Sequence, residues 1–266
     1  MILRITSLSF YAIKIIKNAK NGYVHSVYRN TINIMVNGRL LAIQTSGSPL
    51  SPISLISDLN TFEHLSIKQN DELSFDITGA KVYDLAAKEM IAHRTRHELY
   101  RKFFYIIRAS EVSGYNLIFQ MSEKVDHDLV LSAAENKIHE ANKLYQKERY
   151  QEAADKLCEL IGLGSGLTPS GDDFLCGILA GLHIQGILGT EFSNYLHASV
   201  EKNIHRTNEI SKEFLHCALD GHFSLAVNDL WNNPSEDQIS QSFHAIGHSS
   251  GIDTLCGIYF LFFLME

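Results

Sequence analysis

The sequence is sparing with cysteine, proline and tryptophan. Its 266 residues hold four Cys, four Pro and one Trp. The cysteines (Cys158, Cys176, Cys217, Cys256) are far apart, and no CxxC or Cys/His cluster suggests zinc. A chain of this size does not need disulfides, so reduced thiols in a cytoplasm are expected. Four prolines and a charged fraction of 20% exclude a disordered, proline-rich polymer. Basic residues are also outnumbered. There are 23 Lys and Arg against 30 Asp and Glu, a net charge of −7, which argues against a nucleic-acid binder. The deficit is uneven, because residues 1–60 carry six basic side chains and only Asp58 as an acid. A long apolar run is missing too. The best candidate, Thr254 to Met265, falls short of the roughly 20 residues that span a membrane. It reads as a buried terminal helix. The N-terminus shows no signal-peptide cleavage pattern. No membrane partner is expected.

Several catalytic signatures are absent as well. There is no HExxH, so His93 and His97, four apart, are expected to be solvated rather than metal-bound. No Gly-x-Ser-x-Gly elbow marks a hydrolase serine. No lysine stands between Lys156 and Lys202, which excludes a Walker A loop there.

What is present divides into two styles of sequence. Residues 23–28, 31–36 and 40–45 are rich in Val, Tyr, Ile and Leu. Asn37-Gly38 between two of these runs predicts a hairpin. Residues 45–52 read as a loop, and residues 72–77 alternate as a half-buried strand does. From about residue 85 the periodicity turns helical. Helices are predicted over 126–146, 148–161, 171–188, 190–205, 208–220, 235–246 and 251–265. The expected class is α+β: a β-rich N-terminal part, barrel- or sandwich-like, then a mostly helical C-terminal part. The domains are expected at 1–120 and 121–266, the second carrying a glycine-rich ligand loop.

The glycines are concentrated. Eight of 17 lie between Gly162 and Gly189. The densest stretch is Gly162-Leu-Gly164-Ser165-Gly166-Leu167-Thr168-Pro169-Ser170-Gly171-Asp172-Asp173. Alternating glycines allow positive φ and a close approach by a ligand. A dinucleotide fingerprint would have to follow a strand, yet the residues before Gly162 are helical in pattern. The surviving reading is a loop feeding a helix N-terminus, which suits an anion. Gly164, Ser165, Gly166, Leu167, Thr168, Pro169, Ser170 and Gly171 are therefore candidate substrate-binding residues. Asp172 and Asp173 are candidate acid/base or amide-binding groups. Ser170-x-x-Asp173 also fits a structural capping box.

The helix start is echoed. Ser170-Gly-Asp-Asp-Phe-Leu-Cys-Gly-Ile-Leu179 matches Ser250-Gly-Ile-Asp-Thr-Leu-Cys-Gly-Ile-Tyr259 at seven of ten positions. Two helix N-termini are expected to meet, with Asp173 facing Asp253 and Gly177 matching Gly257. Ser249, Ser250, Gly251 and Asp253 join the candidate pocket. His248 beside them is a candidate acid/base. Thr207-Asn208-Glu209-Ile210-Ser211 opens another helix, and Thr207 and Ser211 are secondary pocket candidates. No cofactor is expected. A divalent metal at the aspartates stays open, without a recognisable ligand set.

The run from Gly162 to Leu175 resembles the signature of the AllH family of bacterial proteins, and Gly247–Gly257 is similar to its second signature. Thr207–Ser211 and the hairpin near Gly38 fit the same order. The family includes a subunit of oxamate carbamoyltransferase. The resemblance implies carbamoyl transfer between oxamate and carbamoyl phosphate, in anaerobic allantoin and purine breakdown. It implies a cytoplasmic chain with larger partners, one of them FdrA-like. It leaves open a non-catalytic, ligand-binding or scaffolding subunit. A stand-alone enzyme, carboxylase-type or otherwise, acting on a small carboxylate or amide also stays open.

Overall fold

The computed structural model describes residues 1–111, 114–120 and 129–265. They form two compact units, Met1–Ala86 with His222–Leu225, and Ala87–Gly221 with Ala226 onward. The change of pattern read near residue 85 falls at this division. Residues 87–111 and 114–120 fall in the second unit.

The first unit is a closed sheet. Its strands are β1 (Ile2–Ser9), β2 (Asn21–Val27), β3 (Thr31–Val36), β4 (Arg39–Gln44), β5 (Ser54–Ser57), β6 (Glu72–Asp76) and β7 (Lys81–Tyr83). The order is β5-β4-β3-β2-β6-β1-β7, and β5 also pairs with β1. That last pairing turns the sheet into a barrel. Asn37 and Gly38 both have positive φ, 51° and 78°, as a two-residue hairpin turn between β3 and β4 requires. Inward positions such as Leu3, Ile5, Val24, Ile34 and Leu41 are buried. A short helix, α1 (Phe10–Ile16), follows β1. Its cap residue Ser9 accepts a hydrogen bond from the Ala12 amide at 2.8 Å.

The second unit is helical. Its helices are α2 (His93–Ala109), α3 (Asn116–Phe119), α4 (Leu129–Tyr145), α5 (Tyr150–Cys158), α6 (Ser170–Gln185), α7 (Glu191–Asn203) and α8 (Glu209–Leu219). They are followed by α9 (Leu225–Asp229), α10 (Glu236–His244) and α11 (Ser250–Leu264). Residues 126–128 of the helix predicted over 126–146 lie outside the described residues. No described helix is long and apolar enough to cross a membrane. The closest helix pair is α6 with α11, which forms the centre of the unit. Both are buried nearly all round, and their apolar residues are among the least exposed in the chain.

Glycine sets the geometry of this pair. A Cβ on Gly177 would lie 2.0 Å from the Thr254 carbonyl oxygen, and one on Gly257 would lie 2.0 Å from that of Phe174. Gly181 packs against Leu261 in the same sense. The partners stand 77, 80 or 83 positions apart along the chain, that is 80 give or take three. The two helices therefore run parallel in a fixed register, with both N-termini at one end.

Candidate functional site

At that shared end four chain segments meet. They are residues 114–115, the glycine loop 162–169 with the start of α6, the start of α8, and the start of α11.

The loop takes its shape from its glycines. Gly162, Gly164 and Gly166 have φ of 78°, 137° and 100°, a region closed to most side chains. Gly164 also brings the chain onto the Ser170 amide, 2.5 Å from where its Cβ would stand. Ser165, Gly166 and Leu167 are exposed at the tip. The backbone N–H groups of residues 164–168 make no hydrogen bond to any described residue. The loop thus presents a row of unpaired donors beside two helix N-termini, the arrangement that favours an anion.

Asp172 fastens the loop in place. Its Oδ1 accepts from the Gly162 amide at 2.8 Å, and its Oδ2 accepts from the Thr207 hydroxyl. The buried Ser211 hydroxyl lies beside it, outside good hydrogen-bond geometry. Burial raises the Asp172 pKa, and these neighbours partly offset the rise. With both oxygens occupied, Asp172 is a clasp between loop, α6 and α8. The Asn208 amide group adds a second tie, donating to the Leu167 carbonyl at 3.0 Å. Asn208 is also the cap of α8, where its side chain accepts from the Ile210 and Ser211 amides.

Asp173 and Asp253 are different. Both are buried, with 8% and 0% exposure, and Oδ2 of each has no hydrogen-bond partner among the described residues. Oδ1 of Asp253 accepts from the Tyr115 amide at 2.6 Å. Burial, and then the negative charge of Asp253, push the Asp173 carboxyl well above its ordinary value. The Ser250 and Thr168 hydroxyls beside it act in the opposite direction. Burial lifts Asp253 to about 6, against the opposing effect of the Tyr115 amide and of Ser170 and Ser249. The arrangement is reciprocal: Asp173 of α6 faces Ser250 of α11, and Asp253 of α11 faces Ser170 of α6. The Thr168 and Ser250 hydroxyls are 2.7 Å apart and close the junction.

The structure thus brings together most of the residues singled out from the sequence. Pro169 precedes α6 as its cap residue, and Ser249 precedes α11. Neither cap makes a side-chain hydrogen bond. The capping box expected at Ser170 and Asp173 is therefore not formed: Ser170 is already helical, and Asp173 lies one residue too deep. Gly171 and Gly251 let their helices seat against the Leu160 and Phe243 carbonyls, 2.1 and 1.9 Å from their Cβ positions. His248 is exposed and makes no hydrogen bond to any described residue, so nothing ties it to the aspartates.

Gly114 and Tyr115 were not legible as site residues. A Cβ at Gly114 would fall 2.5 Å from Asp253 Oδ1. The Tyr115 ring is buried, and its hydroxyl is pushed up by burial and by Asp253, Asp172 and Asp173. No motif surrounds them in sequence.

Comparison with protein families agrees with this geometry in position. Residues 160–262 match the family model described as oxamate carbamoyltransferase subunit AllH, and residues 4–90 match that of the AllH family N-terminal domain. The chain belongs to the AllH family. The AllH match begins two residues before the glycine loop and ends within α11, so it takes in α6, α8 and α11 with all three of their starts. The AllH N-terminal match covers the barrel strands. No solved structure matches the chain.

Proposed function

We propose that this chain is a subunit of an oxamate carbamoyltransferase, and that the junction of α6, α8 and α11 binds its small anionic ligand. The family supports the first part. The second rests on one observation: five consecutive unpaired amides in the glycine loop, beside two parallel helix N-termini. Oxamate, carbamoyl-oxamate and carbamoyl phosphate each carry an anionic end and a primary amide. The loop amides and helix ends take the carboxylate or phosphate. Amides aimed at a developing oxyanion would also favour carbamoyl transfer.

The chain works with FdrA-like and other carbamoyltransferase subunits in the cytoplasm, in allantoin and purine breakdown. The test is formation of carbamoyl phosphate from carbamoyl-oxamate and phosphate, with the chain alone, the partners alone, and both together. The expected result is turnover only when both are present, and a loss of it in Gly166→Ala or Asp173→Asn. Partners that turn over equally well without this chain would refute the reading.

A further inference from the structure

We propose that Asp173 and Asp253 together hold a divalent cation of the Mg²⁺ class. The proposal deepens the site just described, and rests on that reading only in placing the anionic ligand next to the cation.

Three observations carry it. The first is the pair of orphan atoms: Oδ2 of Asp173 and Oδ2 of Asp253 are buried without any hydrogen-bond partner among the described residues. Buried carboxylate oxygens are normally satisfied, because a bare one is costly. Here two occur together, on the equivalent turn of two helices locked in register by Gly177 and Gly257. The second is charge. The groups that act on these two carboxyls are each other, Asp172, four hydroxyls and the Tyr115 amide, with no basic side chain among them. Two neighbouring carboxyls out of water need either a shared proton or a metal cation between them. The third is the donor set. Carboxylate oxygens ringed by the hydroxyls of Thr168, Ser170, Ser249 and Ser250 are hard ligands, suited to Mg²⁺ or Mn²⁺ rather than to soft metals. Two carboxylates are also what Mg²⁺ usually takes from a protein. It keeps water in its other positions and shares them with the oxygens of an anionic ligand.

The cation accounts for a feature that the anion reading leaves unexplained, the acids beside an anion site. Loop amides take one side of a phosphate or carboxylate, and a cation fixed on Asp173 and Asp253 takes the other.

The test uses the full chain, purified with chelator and then titrated with Mn²⁺, free Mn²⁺ being read by electron paramagnetic resonance. One site per chain is expected, displaced by Mg²⁺. Asp173→Asn and Asp253→Asn should each weaken it at least tenfold. Asp237→Asn, on the exposed start of α10, should leave it unchanged. Unmodified protein that binds no Mn²⁺ at millimolar concentration overturns the proposal, and does so even if the variants fail to fold. Binding that survives both substitutions also overturns it. Failure of the anion reading would look different: Mn²⁺ binds, but the ³¹P line of added inorganic phosphate is not broadened.

Discussion

Gly177 and Gly257 touch across the α6–α11 pair: a Cβ on Gly177 would come 3.0 Å from the Gly257 Cα. The same Cβ would strike the Thr254 carbonyl, so the obstacle is backbone, which cannot step aside. Gly177→Ala and Gly257→Ala should each destabilise the protein by about 1–3 kcal/mol or more. Gly181 meets only the Leu261 side chain, so Gly181→Ala should cost less. Urea unfolding of the three variants checks the order. Equal costs would mean that the helices are not held by backbone contact.

Asp172 and Asp173 are neighbours with different duties. Asp172→Ala leaves the Gly162 amide and the Thr207 hydroxyl without their acceptor, which should cost about 1–3 kcal/mol. Asp173→Asn loses no hydrogen bond through Oδ2 and relieves repulsion with Asp253. It should therefore unfold at an equal or higher urea concentration than the unmodified protein while losing activity in the complex. A strongly destabilised Asp173→Asn would contradict this division.

Gly164 and Gly166 separate loop shape from loop packing. Both have φ in a region that favours glycine, but a Cβ at Gly166 meets only the Thr168 carbonyl at an ordinary 3.9 Å, whereas one at Gly164 meets the Ser170 amide. Gly166→Ala should weaken anion binding, with a stability cost of about 1–2 kcal/mol from backbone strain alone. Gly164→Ala should lower both binding and stability further. Calorimetric titration with oxamate, together with thermal unfolding, distinguishes the two.

Three thiols should resist alkylation in the native protein. Burial pushes Cys158 up to about 12 and holds Cys176 and Cys256 well above the ordinary thiol range. The reactive form is the thiolate, so iodoacetamide near pH 8 should label these positions only after unfolding. Mass mapping of labelled peptides reads this directly.

The half-buried His183 and His197 predict an acid sensitivity. Burial lowers both; the His197 charge lowers His183 further, and Glu201 partly offsets the shift at His197. The unfolded chain then takes up protons more readily than the folded one. Their contribution is complete above the ordinary imidazole value near 6.5 and is lost as pH falls through it. Replacing both by Gln should flatten the fall in stability between about pH 7 and 5. An unchanged slope would assign the acid loss to the carboxylates.

Much of this was legible, for local reasons. The Asn37-Gly38 turn and the strands on either side follow from turn chemistry and alternation. The helix starts at residues 170, 209 and 250 follow from periodicity and glycine placement. The repeated Ser-Gly-x-Asp pattern gave the meeting of α6 and α11, because small residues seven positions into each copy allow the backbones to touch. Other features were hidden by their non-local cause. The strand β1 reads as a short apolar run, and only its pairing with β5, β6 and β7 makes it the seam of a barrel. The separate roles of Asp172 and Asp173 depend on Gly162 and Thr207, which lie 10 and 35 residues away. Gly114 and Tyr115 reach Asp253 from 138 residues before it, for Tyr115, and nothing local announces that.

The parallel register of α6 and α11 also bears on the order of assembly. Side-by-side helices that point the same way cannot be joined by a short turn, and here the return path runs from Gln185 to Ser250, about 65 residues, with α7 to α10 between. Closing such a loop costs entropy that only long-range contacts repay. Both aspartates and the clasp at Thr207 belong to that late closure. The candidate site is therefore built from long-range contacts rather than from any one local segment.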